Sequence, residues 1–174
     1  HRLDKDTSGL LMVAKNDAAH ASLSRQLAER KMDKHYLAVV AGQMREATGS
    51  IDLPLGRSLK DRKKMAVRPD GRTALTEWRV LDQRPDRALL DVYLVTGRTH
   101  QIRAHLSSIG HPLAGDGKYG RNSVNKTTGF PYQALYSYKL KFTFTTDAGL
   151  LQYLNGREFT VEDIWFLKEF YAFS

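Results

Sequence analysis

The chain opens on His1-Arg2-Leu3-Asp4-Lys5-Asp6-Thr7-Ser8-Gly9-Leu10-Leu11-Met12-Val13-Ala14-Lys15-Asn16, a polar turn that runs straight into an apolar stretch. No other segment constrains the fold as much. Thr7-Ser8-Gly9 is a turn signal, and the apolar row from Leu10 to Val13 behind it reads as a buried strand spanning Gly9 to Lys15. A carboxylate, Asp4, stands at the head of that strand between Arg2 and Lys5. An aspartate before Thr-Ser-Gly is usually no more than a turn or cap residue. Among cations it is also a candidate for chemistry.

The rest of the pattern is rich in strands. Asp17 is the expected N-cap of a helix that runs to about Arg30. Tyr36 to Val40 reads as a strand stopped by Gly42, and Ser50 to Pro54 as a short extended piece. Pro69-Asp70-Gly71 is a turn signal between Met65-Ala66-Val67 and the stretch from Thr73 to Leu81, which predicts a hairpin. Leu89 to Val95 is another strand. Ile102, Leu106 and Ile109 recur at helical spacing, which predicts a helix from Thr99 to Ile109 ended by Gly110. From Tyr138 to Phe144 apolar and polar residues alternate. Val161 to Phe173 is aromatic-rich and fits a closing helix or an extended packing segment. Strands arranged as hairpins with few helices between them predict an α+β fold, a mixed and mostly antiparallel sheet with flanking helices. A doubly wound parallel sheet is not expected.

Charge points to the partner. The 174 residues carry a net charge of +8, and +5 of it falls between Arg57 and Arg72. Seven basic residues there (Arg57, Lys60, Arg62, Lys63, Lys64, Arg68, Arg72) face two acidic ones, Asp61 and Asp70. A concentrated patch of this kind suits a polyanion, whereas a diffuse excess would not single one out. The lesser alternative is a merely solvated hairpin. Cysteine is absent, which removes disulfides, thiolate nucleophiles and Cys-ligated zinc. The longest apolar runs fall far short of the roughly 18 residues a membrane helix needs. No membrane partner is expected, and the expected location is the cytoplasm. His100 and His105 are five apart with no Glu between them, unlike a helical zinc pair. No metal or cofactor site is predicted, and no dinucleotide or P-loop fingerprint is present.

A second motif runs Gly97-Arg98-Thr99-His100-Gln101-Ile102-Arg103 and continues through Gly110-His111-Pro112 and Asp116 to Tyr119-Gly120. Together with His1-Arg2-Leu3-Asp4…Thr7-Ser8-Gly9…Ala14-Lys15 and Lys34-His35-Tyr36, it resembles the signatures of the RluA/RluD-type pseudouridine synthases of large-subunit ribosomal RNA. Gln133-Ala134-Leu135 resembles a later stretch of that family, which more often continues with His-Ala where this chain has Tyr136-Ser137. The resemblance implies a pseudouridine synthase catalytic fold over residues 1–174. The chain begins with His inside a motif, so more of the catalytic domain is expected upstream, with a small RNA-binding domain before it.

Isomerising uridine to pseudouridine breaks a C–N glycosidic bond, turns the base and makes a C–C bond. It needs no redox cofactor or metal, but it does need a nucleophile or general base, and an aspartate can be either. Asp4 is the candidate. Asp6 is the better turn residue, since the family varies there. The resemblance makes Arg98 the cation paired with Asp4 and has Tyr36 packing on the target base. It also has Arg2 filling the space of the extruded base, a task suited to a flat cation. Arg57, Arg62, Lys63 and Lys64 are the expected phosphate contacts. His105 and His111 are expected to be structural. Ribosomal RNA is the expected substrate, with transfer RNA as the alternative, and the protein is expected to act as a monomer. The rival reading is a catalytically inactive RNA-binding module of the same fold. A phosphodiester-cleaving nuclease lacks the carboxylate cluster or paired histidines it would need.

Overall fold

A computed structural model describes residues 1–122, 125 and 129–172. Its frame is one sheet in the order β1-β8-β2-β7-β6-β3, with β9 sharing the β1 side of β8. The strands are β1 (Ser8–Gly9), β2 (Met32–Ala41), β3 (Thr48–Asp52), β6 (Leu75–Arg84), β7 (Arg87–Leu94), β8 (Leu135–Phe142) and β9 (Glu158–Thr160). Only β1 runs parallel to its neighbour; every other pairing in this sheet is antiparallel. The mixed, mostly antiparallel α+β architecture is therefore as the sequence implies. A separate two-stranded piece, β4 (Leu55–Arg57) with β5 (Met65–Val67), carries the basic segment.

Side-chain alternation splits the sheet's two faces. Tyr36, Ala38, Val40, Leu90, Val92 and Leu94 pack on one face beneath Ile102 and Leu106 of helix α2 (Gln101–Ser108). Leu37, Val39 and Leu89 pack on the other against Ile164, Phe166 and Phe170 of the C-terminal segment. That segment ends in helix α3 (Leu167–Ala172); Phe173, at the end of the predicted closing segment, lies outside the described residues. Helix α1 (Asp17–Ala28) packs at a corner with Phe142, Phe144 and Leu151. A small fourth cluster, Leu55, Ala74 and Ala104 with Met65 and Tyr119, docks the β4–β5 hairpin on α2.

Three local expectations are corrected. The N-cap of α1 is Asn16, not Asp17: its side chain accepts from the Ala19 amide at 2.8 Å. The predicted strand from Gly9 to Lys15 is paired only at Ser8–Gly9, and Leu11 and Val13 are exposed. The Leu10 amide still donates to the Ser137 carbonyl at 2.8 Å, but residues 10–15 belong to no strand, and Leu10, Met12 and Ala14 of their apolar row are only partly buried. The Pro69-Asp70-Gly71 turn exists, with the Gly71 amide donating to the Arg68 carbonyl at 2.9 Å, but it closes no hairpin. β5 pairs back to β4, while β6 pairs with β3 and β7. Turn chemistry marks a reversal of the chain; which strand is then met depends on the distant residues that offer a free edge.

Candidate active site

The opening motif is held from both sides. The Thr7 amide donates to the Asp4 carbonyl at 3.0 Å, and Asp6 sits at φ 67 within that turn. Asp is one of the few non-glycine residues that visit this left-handed region readily. Gln133, nearly fully buried, reaches across from the strand side, and its amide nitrogen donates to the Lys5 carbonyl at 2.6 Å and to Thr7 Oγ1 at 3.2 Å. Gly9 follows at φ 124, and a Cβ there would collide with the Ser137 backbone. Only glycine lets the turn dock so closely on β8. Leu3 packs against the core under α2. With Leu3 anchored inward and the turn pinned, Asp4 projects into a cleft of ≈ 510 Å³.

Among the described residues Asp4 is the sole carboxylate lining that cleft, which also receives Arg2, Arg30, Lys34, Tyr36, Arg72, Arg98 and His100. Its Oδ2 lies 3.6 Å from Nη1 of Arg103, and its side chain keeps 24% exposure. The predicted ion pair with Arg98 is not formed. Arg98 Nε donates instead to the Thr73 carbonyl at 2.8 Å. Both arginines come from the same motif. Arg98 lies in the turn before α2, whereas Arg103 lies within a helix whose residues from Gln101 to Leu106 are all buried. A buried arginine must have a partner, because an uncompensated charge there costs several kcal/mol. Nothing in the spacing of the motif singles out Arg103 in the sequence; its burial within α2 does so in the structure.

Arg103 is fixed by a second carboxylate. Its Nε and Nη2 donate to the two oxygens of Asp116 at 2.8 and 3.0 Å. Asp116 is fully buried and also accepts from the Lys118 and Tyr119 amides. The guanidinium lies over the Tyr119 ring at 5.0 Å. Burial opposes the charge on Arg103, but the hydrogen bonds and field of Asp116, with Asp4 behind, raise its pKa above the usual value. Burial likewise pushes Asp116 up, and Arg103 overrides it and holds the carboxyl below the usual range. The strong bidentate face of Arg103 belongs to Asp116, so Asp4 receives one guanidinium nitrogen. Asp4 is thereby oriented while the three-residue unit keeps a net negative charge.

Tyr36 reaches the same cleft from β2, opposite a β-bulge whose extra residue, Tyr138, lies on the neighbouring β8. Burial and the field of Asp4 push the Tyr36 phenol up to about 12, against a smaller opposing effect of Ser137. It is a neutral hydroxyl at physiological pH. His100 precedes α2 in the left-handed region at φ 52. Its Nδ1 meets the Tyr119 hydroxyl at 2.7 Å, and that hydroxyl also accepts from the Met65 amide of β5. The basic hairpin is therefore tied to the cleft through one tyrosine. Burial lowers the His100 pKa, with Asp4 pulling the other way.

The neighbouring motif residues are scaffold. Gln101 Oε1 accepts from Thr96 Oγ1 and the Arg98 amide, while its Nε2 donates to the Leu75 carbonyl and Thr76 Oγ1. Thr76 in turn meets His105 Nδ1 at 2.8 Å, and His105 Nε2 donates to the Leu53 carbonyl at 2.8 Å. His111 Nδ1 bonds the Ala41 carbonyl at 2.9 Å. The structural roles expected of His105 and His111 are those seen. In the hairpin, Arg57 donates to the Arg62 carbonyl, while Lys63 and Lys64 sit in the loop between β4 and β5. Among the described residues, no three His, Asp or Glu side chains converge to hold a metal ion.

Known proteins share the sequence and the fold of this chain. Residues 1–108 match the RNA pseudouridylate synthase family. The chain belongs to that family. It is 52% identical over 142 residues to an uncharacterized RNA pseudouridine synthase, YlyB, of Bacillus subtilis (strain 168), covering 82% of this chain and 46% of the relative. It is 50% identical over 148 residues to the ribosomal large subunit pseudouridine synthase D of Nitrosomonas europaea, covering 82% of this chain and 43% of the relative. The chain thus spans less than half the length of these pseudouridine synthases. In structure it superposes on human RNA pseudouridylate synthase domain containing 1 with a TM-score of 0.79 and 30% identity, over 94% of this chain and 67% of that one.

Proposed function

We propose that this chain is the catalytic core of an RNA pseudouridine synthase that isomerises uridine in large-subunit ribosomal RNA, with Asp4 as the reactive carboxylate. The observation that carries the proposal is the lone carboxylate of the cleft, oriented by an arginine that a second, buried carboxylate already holds. Family membership supports the reaction, and the ribosomal names of several relatives support the RNA class. A uridine must leave its stack to reach Asp4, and Arg2 on the cleft wall is suited to occupy the vacated space. Tyr36 packs against the base as a neutral phenol. Arg103, not Arg98, is the counter-ion. Lys63 and Lys64, with Arg57 and Arg62, grip backbone phosphates from the hairpin. The enzyme acts as a monomer in the cytoplasm, where its RNA is made.

Base-resolved pseudouridine mapping of ribosomal RNA incubated with the full-length protein tests the proposal. The wild type should convert a discrete uridine, and the Asp4→Asn variant should convert none while still binding the RNA. Equal conversion by both would remove Asp4 from the chemistry. Binding without conversion by the wild type would favour the inactive RNA-binding module.

A further inference from the structure

With Arg103 serving Asp4, Arg98 is left without the role its motif implied, and its surroundings suggest another. Arg98 shares one wall of the cleft with Arg30, Lys34 and Arg72. These cations crowd each other: burial, then Arg72, then Arg30 disfavour the charge on Arg98. None of the four forms an ion pair among the described residues. Among the described residues the Arg98 side chain has one polar anchor, the Thr73 carbonyl, which fixes the guanidinium without neutralising it.

Lys34 adds a second, independent mark. It is partly buried in the cleft wall, and burial lowers its ammonium pKa, while no carboxylate among the described residues forms an ion pair with it. Its Nζ lies over Gly97, 3.1 Å from where a Cβ would stand, so glycine leaves the room this ammonium occupies. Arg30 completes the wall from the end of α1. It sits at φ 58 in a Schellman turn, with its amide on the Leu27 carbonyl and the Lys31 amide on the Gln26 carbonyl. Glycine is the usual residue there, and an arginine gives up some backbone stability to bring its side chain to the cleft.

Like charges held together without a counter-ion are destabilising unless an anion joins them. We propose that Arg30, Lys34, Arg72 and Arg98 form a cradle for the RNA backbone phosphate beside the nucleotide whose base reaches Asp4. The assignment rests on the RNA-modifying reading of the cleft. It is distinct from the grip of the hairpin, because it acts on the target nucleotide itself and not on flanking RNA. Arg98 then belongs to substrate positioning, which explains how one motif supplies two arginines with different partners.

The test uses the full-length protein and an RNA fragment carrying the mapped uridine, with one linkage at a time replaced by an uncharged methylphosphonate. Conversion and equilibrium binding are both measured. For the wild type, neutralising one linkage next to the target should lower affinity and kcat/KM roughly tenfold, the worth of one charge-assisted hydrogen bond. The Arg72→Gln/Arg98→Gln variant should lose a similar factor on unmodified RNA. It should then lose nothing more when that linkage is neutralised. Arg30→Gln and Lys34→Gln should each show part of the same non-additivity, while Arg72→Lys should retain most of the affinity. Multiplying losses, with an active wild type, would overturn the cradle and leave the function standing. A wild type that neither binds nor converts RNA would overturn both. Arg30 and Arg72 are exposed, so their substitution leaves the core intact.

Discussion

Asp116→Asn tests the electrostatic core of the site. Asp116 accepts two hydrogen bonds from Arg103, at 2.8 and 3.0 Å, and two from backbone amides, at 2.9 and 3.0 Å, with no solvent exposure. An amide in its place has the same shape, no charge, and an NH₂ facing the guanidinium. Arg103 would then stay buried with only Asp4, 3.6 Å away. Stripping one partner from a buried ion pair costs about 3–5 kcal/mol. For a chain of this size each kcal/mol moves Tm by roughly 2–4 °C, so scanning calorimetry at pH 7 should show a fall of roughly 10 °C. The pH dependence supplies the sign. Because the folded-state pKa of Asp116 is depressed, its contribution is complete above the ordinary aspartate pKa of about 4 and is lost as pH falls through the lower folded value. The gap between wild type and variant should therefore be full at pH 7 and close towards pH 2. Conversion of uridine should fall as well, since Arg103 is freed to clamp Asp4. A Tm change under about 2 °C, or a gap as wide at pH 2 as at pH 7, would show that Asp116 does not hold the site in this way.

Three further outcomes are expected. Arg103→Met should lower kcat on the order of a hundredfold, the usual scale for removing one preorganised electrostatic partner, with RNA affinity nearly unchanged; a defect confined to KM would return the counter-ion role to Arg98. Burial, partly offset by the Leu53 carbonyl and Asp52, holds His105 below its ordinary pKa. The unfolded chain thus binds more protons, and the wild type should lose stability as pH drops from 7 to 5. His105→Leu should cost roughly 2 kcal/mol at pH 7 by stranding its two partners, and should flatten that acid limb in urea titrations. Replacing Lys63 and Lys64 with Gln should weaken RNA binding and make the plot of log affinity against log salt shallower by about 0.7–0.9 for each phosphate the hairpin no longer neutralises; an unchanged slope would take the hairpin loop out of the RNA interface.

Much of the site was legible in the chain because its local rules act over a few residues. The polar turn before Leu10 projects Asp4, and glycine at position 9 follows from the approach to Ser137. The Lys34-His35-Tyr36 stretch does bring a tyrosine to the cleft, but the strands that flank it there, β7 and β8, come from far along the chain. Arg98 and Arg103 could not be told apart by spacing alone. The resemblance pairs Arg98 with Asp4, but the Arg98 guanidinium is held instead by a backbone carbonyl, that of Thr73. Asp116 gave no local sign beyond its place in the motif.

The class of fold, the polar turn that carries Asp4 and the concentration of positive charge between Arg57 and Arg72 could all be read along the chain. Each follows from periodicity, turn chemistry or net charge, which are properties of short windows or of composition. Three other features arise only in the folded molecule: which arginine faces Asp4, which strand pairs with β5, and the departure of the chain from the sheet after Leu10. Folding also gathers Arg30, Lys34, Arg72 and Arg98 on one wall. The physical reason is common to all four. An ion pair, a strand ladder or a charged wall forms between groups that the chain keeps far apart, and the winning partner is the one whose backbone is already held in place by buried contacts elsewhere.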